Sequence, residues 1–152
     1  MNHFEVKESQ PNDFYEPHLC IFIDEERLDL WLAKRTGMKK IAGLVPTALP
    51  WSPVPAERVL VWGRLLSDDV QPQPCPVLMC PDDLDFTCDL IVVNINKQDG
   101  CVYWSKFSQG FDEAEISPLL GVSTTLVFNA LQYERELLKF KSENDMWQDS
   151  ES

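Results

Sequence analysis

Residues 89–107 read DLIVVNINKQDGCVYWSKF, and this stretch predicts an antiparallel β-hairpin. Two runs of β-branched and apolar residues, 89–95 and 101–107, flank a connection over 96–100 that ends in Asp-Gly. An Asp-Gly pair supplies the positive φ angles that a tight turn between antiparallel strands needs. Apolar side chains occur on both faces of the first run, which predicts a central strand that is covered on each side.

The N-terminal part of the chain predicts a strand followed by a helix. The apolar run 18–23 is typical of a strand, and Asp24 after it is expected to cap a helix over 25–35. In that helix Leu28, Trp31 and Leu32 would form the buried stripe, and Gly37 would end it.

Further elements are expected on both sides of the hairpin. Four prolines in 46–55 predict a rigid loop with Trp51 tucked inward, and strands are expected at 58–66, with Gly63 as a bulge, and at 77–79. A helix capped by Ser123 or Thr124 is predicted to end at Ser142. One face of this helix would consist of Val127, Leu131, Glu134 and Leu138, with Ala130, Leu137 and Phe140 beside it.

These patterns predict a single α+β domain over residues 1–142. Its centre would be a mostly antiparallel sheet of about five strands, with at least two helices packed against it. Residues 143–152 are expected to form an acidic, disordered tail.

The composition predicts a soluble, cytoplasmic chain. A length of 152 residues with 44% hydrophobic residues is enough to bury a core. The longest apolar runs are too short to span a bilayer, and the N-terminus lacks the pattern of a signal peptide. No Walker A loop, G-x-G-x-x-G or H-E-x-x-H motif occurs, so the chain is not expected to be an enzyme or to hold a cofactor.

The charge of the chain restricts its partners. Asp and Glu number 25 against 13 Lys and Arg, which gives a formal net charge of −12. The first half, 1–75, contributes −3 and the second half, 76–152, contributes −9, with no basic residue between Arg64 and Lys97. Such a field repels nucleic acid and anionic membranes and attracts basic proteins or cations, although acidity also serves solubility alone.

The five cysteines are expected to be reduced and buried. Their odd number and the absence of an export signal argue against disulfides, and the spacing lacks the paired C-x2-4-C of a structural zinc site. His18 and Cys20 would share one face of a strand, but a nucleophilic pair also needs an orienting acid and an oxyanion hole. A core cysteine beside an ordinary histidine is the favoured interpretation.

The strongest candidate site is the acidic stretch 80–89, CPDDLDFTCD, which leads directly into the hairpin. Its carboxylates at Asp82, Asp83, Asp85 and Asp89 are compatible with a solvated loop, with a contact to Lys and Arg of a partner, or with a hard cation. The stretch lacks the D-x-D-x-D-G spacing and distal Glu of a calcium loop, so no metal is assigned.

A compact, strongly acidic chain with a Cys-Pro-Asp-Asp loop before a long hairpin resembles the small immunity proteins that bacteria pair with polymorphic toxins. The resemblance implies a one-to-one inhibitor whose acidic surface meets the basic active-site face of a nuclease-like toxin. The partner-binding residues are then expected to be these: Asp82, Asp83, Asp85, Asp89, Asp112, Glu113, Glu115 and, as an exposed aromatic anchor, Trp104. A core position is the alternative for Trp104 and is the favoured interpretation of its place on a strand.

Two alternatives belong to other functional classes. A metal-dependent enzyme would use the aspartates of 82–89 as ligands. A secretion-type chaperone would be small and acidic as well, and would more often be a homodimer that holds an unfolded client strand. The oligomeric state is expected to be a monomer or a homodimer.

Overall fold

The structure is a computed structural model of the chain. It describes residues 1–10, 17–49, 55–80, 90–110, 117–119, 121–122 and 124–149, and the backbone alone for Ser117 and for 143–149. The strands are β1 (Phe4–Ser9), β2 (His18–Ile23), β3 (Glu26–Arg27), β4 (Val45–Pro46), β5 (Gln73–Met79), β6 (Ile91–Gln98), β7 (Cys101–Gln109), β8 (Ser117–Pro118) and β9 (Leu126–Asn129). The helices are α1 (Leu28–Thr36), α2 (Pro55–Leu65) and α3 (Ala130–Asp149), with a 3-10 turn at Lys39–Ile41.

The predicted hairpin and the predicted fold class are confirmed. β6 and β7 pair antiparallel, and the strands run up to a two-residue turn at Asp99 and Gly100, whose φ angles are 53° and 76°. The connection is therefore shorter than the predicted five residues. The main sheet has the order β4-β5-β6-β7, and β8 and β9 share the fifth position because they pair with opposite ends of β7. This curled antiparallel sheet with three helices is an α+β arrangement.

A second, three-stranded sheet completes the molecule. β1, β2 and β3 pair antiparallel in sequence order, and Asn2 joins this sheet to β9 through a parallel bridge with Phe128. The outer edge of β1 is covered by α3, because Gln132 Nε2 donates to the carbonyl of Phe4 and the Val6 N–H donates to Glu136 Oε1 at 3.0 Å. A covered edge cannot pair with the strand of another chain.

Helix α1 begins three residues later than predicted. Asp24 and Glu25, with φ angles of 49° and 72°, form a tight turn that folds β3 back onto β2, so Asp24 is not the helix cap. The Asp24 carboxylate instead accepts hydrogen bonds from Asn2 Nδ2 and the His3 N–H. The predicted buried stripe at 28–32 is confirmed, and Gly37 ends the helix in the left-handed region at φ 73°.

The predicted strand at 58–66 is wrong, since these residues lie in or directly after α2. Pro55 occupies the first turn, where its missing N–H costs nothing, and Glu57 complements the helix dipole there. Val61 and Leu65 then fall four residues apart and are buried, so helical packing overrides the β-propensity of the valines. Gly63 is a helical residue and not a bulge.

Strand β5 contains the predicted strand 77–79 but is longer because it includes two prolines. Pro74 and Pro76 pair with β6 on one side, while β4 reaches only Leu78 and Met79 on the other. The proline carbonyls accept hydrogen bonds from Arg64 at 2.6 Å and from Thr47 Oγ1 at 2.6 Å. Proline is tolerated here because the unpaired edge of β5 needs no N–H donor at these positions.

The predicted helix at 123–142 has the wrong start, and its buried face lies on the residues predicted beside the main face rather than on Leu131 and Leu138. Leu126–Asn129 is a strand that pairs with β7, and Asn129 Oδ1 caps α3 by accepting the Gln132 N–H at 3.0 Å. Leu131 and Leu138 are 78% and 55% exposed, so they do not face the core. The buried side chains of α3 are those of Ala130, Tyr133, Leu137 and Phe140, and its backbone continues past Ser142 to Asp149.

The core is centred on aromatic rings. Trp104 makes edge contacts with Phe4 and Phe128, and its Nε1 donates to the hydroxyl of Tyr133 at 3.3 Å. That hydroxyl donates in turn to the carbonyl of Leu65 at 2.8 Å, which ties α3 to the end of α2. Burial raises the pKa of Tyr133 well above its ordinary value, so this side chain remains a hydrogen-bond donor.

Candidate functional site

The acidic stretches on either side of the hairpin are joined to described strands at neighbouring positions. In the antiparallel order β5-β6-β7, the end of β5, the start of β6 and the end of β7 lie at one end of the sheet. Ile91 pairs with Gln109 there, and the Gly110 N–H donates to the carbonyl of Leu90 at 2.9 Å. We call this end of the sheet, where residues 81–89 and 111–116 connect to it, the acidic end.

Seven of the eight predicted partner-binding residues fall in these two connections. They lie outside the residues that the structure describes, and are Asp82, Asp83, Asp85, Asp89, Asp112, Glu113 and Glu115. Their flanking residues Cys80, Leu90 and Gly110 are described, and these anchor both connections to β5, β6 and β7. Two stretches that lie more than twenty residues apart in the sequence are thus rooted on adjacent strands.

The eighth predicted residue, Trp104, is not an exposed anchor. Its side chain is 0% exposed, and this part of the prediction is wrong. Val102 and Trp104 point inward on β7, and a bulge opposite Val93 then breaks the alternation, with Lys106 at φ 55°. Because of this bulge, the exposure of Lys106 does not indicate that Trp104, two residues earlier on β7, is exposed as well.

The charge of the molecule is distributed unevenly along the sequence. Side chains that the structure describes include all 13 Lys and Arg but only 12 of the 25 Asp and Glu. The other 13 acidic residues lie in 11–16, 81–89, 111–116 and 143–151, which contain no Lys or Arg. We call the residues outside these four stretches the framework. The framework is close to neutral, and the net charge of −12 comes from the four stretches.

Several cations of the framework are held by acids of the framework. Lys97 Nζ contacts Glu134 Oε1 at 2.7 Å and Asp68 Oδ1 at 2.9 Å, and hydrogen bonding to Glu134 is the main reason why the pKa of Lys97 is raised. Arg27 binds the buried carboxylate of Asp29 through two nitrogens, at 2.5 and 3.1 Å. The Asp29 carboxylate also accepts a hydrogen bond from the Gly43 N–H at 2.7 Å, so the ion pair also fixes the backbone at Gly43 to α1.

Cys20 and Cys75 do not form a nucleophilic site. Cys20 Sγ lies 3.4 Å from His18 Nδ1, as the strand position of the two residues predicted, but Cys20 is only 1% exposed. Burial raises the pKa of Cys20 to about 12 and lowers the pKa of His18, so both groups are neutral at pH 7. The thiol of Cys75 is also buried, and burial raises its pKa.

Cys20 and Cys75 are buried as predicted, whereas Cys80 and Cys101 are only half-buried, so the prediction of burial is wrong for these two. Cys88 lies outside the described residues. Within the described part of the chain, no three His, Cys, Asp or Glu side chains come together as metal ligands would. Trp51 and the rest of 50–54 also fall outside the described ranges, so the predicted inward position of Trp51 stays a prediction.

The sequence analysis did not predict that the two acidic connections join the sheet at the same end. A signal for it was present, because an antiparallel hairpin always brings its entry and its exit to the same end. Residues 81–89 precede the first strand of the hairpin, and 111–116 follow the second.

Comparison with known proteins adds no relative. No protein-family model, no curated protein and no solved structure matches this chain. In the described ranges, no helix has both the length and the apolar character that crossing a lipid bilayer requires.

Proposed function

We propose that this chain is an acidic protein-binding module that neutralises a basic protein, a toxin or a nuclease, by occluding its active site. The observation that supports the proposal is the division of charge. The framework holds 13 basic and 12 acidic side chains, whereas 13 further acids occur in stretches without a single cation. Two of these stretches, with seven acids, are rooted on adjacent strands at the acidic end.

Such an arrangement suits competition for the cations of a phosphate-binding site. Carboxylates form charge-assisted hydrogen bonds with Arg and Lys, and these are the groups that a nuclease uses to hold the phosphates of its substrate. An acidic surface also steers a basic partner towards it, which raises the association rate and makes that rate sensitive to salt. The near-neutral framework would then carry the binding surface without adding a field of its own.

The two alternative functions gain no specific support from the described residues. The enzyme alternative would use the aspartates of 82–89 as metal ligands, and no contact among the described side chains points to them. The chaperone alternative requires a surface that holds an extended client, and the β1 edge, which is suited to such pairing, is covered by α3.

The proposal can be tested by capture of the partner from an extract of the native host. The intact chain is immobilised, and bound proteins are eluted by a rise in salt concentration. We expect a basic protein that is retained at low salt and released at high salt, and whose activity the chain inhibits at one-to-one stoichiometry. Capture of no protein, together with a stoichiometric divalent metal in elemental analysis of the purified chain, would contradict the proposal and favour the enzyme.

A further inference from the structure

The outer face of α3 carries two leucines that the fold leaves in solvent. Leu131 is 78% exposed and Leu138 is 55% exposed. They are seven residues apart, which is close to two helical turns, so both project from the same side of the helix about 10 Å apart. Arg135 lies between them and is also exposed, and it makes no ion pair with any described residue.

The order of residues along this face is self-complementary. The segment Leu131-Gln-Tyr-Glu134-Arg135-Glu-Leu-Leu138 has a leucine three positions before Glu134 and another three positions after Arg135. Two such helices placed antiparallel, with a two-fold axis between Glu134 and Arg135, bring each Leu131 against the Leu138 of the other copy. The same axis places each Arg135 against the Glu134 of the other copy, so two apolar contacts flank two opposite-charge pairs.

We infer that two copies of this chain associate through the outer face of α3 as an antiparallel, two-fold dimer. A second copy fits this face because every group on it finds its complement in the same face after a two-fold rotation, which an unrelated partner does not require. Glu134 is suitably held for this role: among the described residues, Lys97 engages only its Oε1, and the contact fixes the carboxylate at the helix surface. Antiparallel helices also oppose their dipoles favourably.

The inferred contact does not compete with the proposed function. α3 begins beside the hairpin turn, where the Ala130 N–H donates to the carbonyl of Gly100, and this is the end of the sheet opposite to the acidic end. The contact involves one helix from each copy, so we expect a small interface and a reversible dimer. A dimer of this kind would not by itself favour the chaperone alternative, which also requires a bound client.

Sedimentation equilibrium of the full chain over a wide range of concentrations tests the inference, at a salt concentration that screens repulsion between chains of charge −12. We expect a monomer–dimer equilibrium for the unchanged chain. Leu131→Gln is expected to raise the dimer dissociation constant by at least about tenfold, because two buried leucines are lost per dimer. Val59→Gln is the matched control: Val59 is 73% exposed on α2, and its replacement is expected to leave the constant unchanged.

Charge variants distinguish the antiparallel register from a nonspecific apolar contact. Arg135→Glu places like charges together at the axis and is expected to abolish the dimer. Arg135→Lys keeps the positive charge at the axis and is expected to retain the dimer, while thermal unfolding confirms that each variant is folded. A chain that stays monomeric at the highest concentration, an equal effect of Val59→Gln, or a dimer that Arg135→Glu leaves unchanged would each overturn the inference.

Discussion

At the scale of single residues, burial decides the chemistry of the groups that looked reactive in the sequence. His18 and Cys20 lie within hydrogen-bonding distance, yet both are buried on the three-stranded sheet, where water reaches neither well. Burial disfavours the charged form of each group, so the thiol keeps its proton and the imidazole loses its own. Proximity of a cysteine and a histidine in a strand pattern therefore indicates packing here, not catalysis.

The lowered pKa of His18 predicts how stability depends on pH. Below its ordinary value of 6.5, His18 is protonated in the unfolded chain but stays neutral in the fold, so the unfolded state binds more protons. The free energy of unfolding should thus fall as the pH drops from 6.5 towards the lowered pKa, by about 1.4 kcal/mol per unit of the shift, and should not change through His18 above 6.5.

Urea unfolding of the unchanged chain and of His18→Gln between pH 8 and pH 5 measures this contribution. Arg27 and Asp29 act on His18 with opposite signs and are the same in both chains, so the difference between the two curves reports on His18. We expect the free energy of unfolding of the unchanged chain to fall relative to that of His18→Gln as the pH drops below 6.5. A difference that is constant over the whole range would contradict it.

At the scale of secondary-structure elements, the sequence predicted those elements whose local signals agree with their packing. The hairpin was predictable because β-branched runs and Asp99-Gly100 indicate the same structure. Helix α2 was not predictable, since the valines of 58–66 favour a strand and only the position of Pro55 indicates a helix start. β9 was missed because Leu126–Asn129 joins α3 without a breaker, and its pairing with β7 is a tertiary contact.

The hydroxyl of Tyr133 provides a test of how α3 is fixed to α2. Tyr133→Phe leaves the carbonyl of Leu65 and the indole N–H of Trp104 without their partner in the interior, which should lower the free energy of unfolding by about 1–3 kcal/mol. Tyr103→Phe removes the same atom from a half-buried side chain on β7 and should cost less than about 0.5 kcal/mol. Equal losses in denaturant unfolding would show that the Tyr133 hydrogen bonds do not stabilise the fold.

At the scale of the whole molecule, the sequence predicted the sign of the charge but not its separation. Counting residues shows that the second half of the chain is the more acidic. Only the structure shows that Lys97 and Arg27 form ion pairs with acids that lie outside the four acidic stretches. The distinction depends on tertiary contacts between residues far apart in sequence, such as Lys97 with Glu134, which composition cannot reveal.

The start of α3 and the acidic end lie at opposite ends of the sheet, so we expect a dimer through α3 to leave two acidic ends accessible. Each copy could then bind its own basic partner, and the stoichiometry of inhibition would stay one to one. The wrong prediction for the buried face of α3 is connected to this inference, because Leu131 and Leu138 follow a helical spacing that normally indicates a core. In this chain that spacing marks a face which the monomer leaves uncovered.

The association rate constant with the captured basic protein, measured at low ionic strength, tests whether the acidic end directs binding. Two variants that lose the same three charges are compared with the unchanged chain: Asp82→Asn, Asp83→Asn and Asp85→Asn together, and the exposed framework acids Glu8→Gln, Glu25→Gln and Asp69→Asn together. We expect the association rate constant to be lower by on the order of tenfold for the first variant and to stay near that of the unchanged chain for the second. Equal rates for the two variants would show that the acidic end does not direct binding.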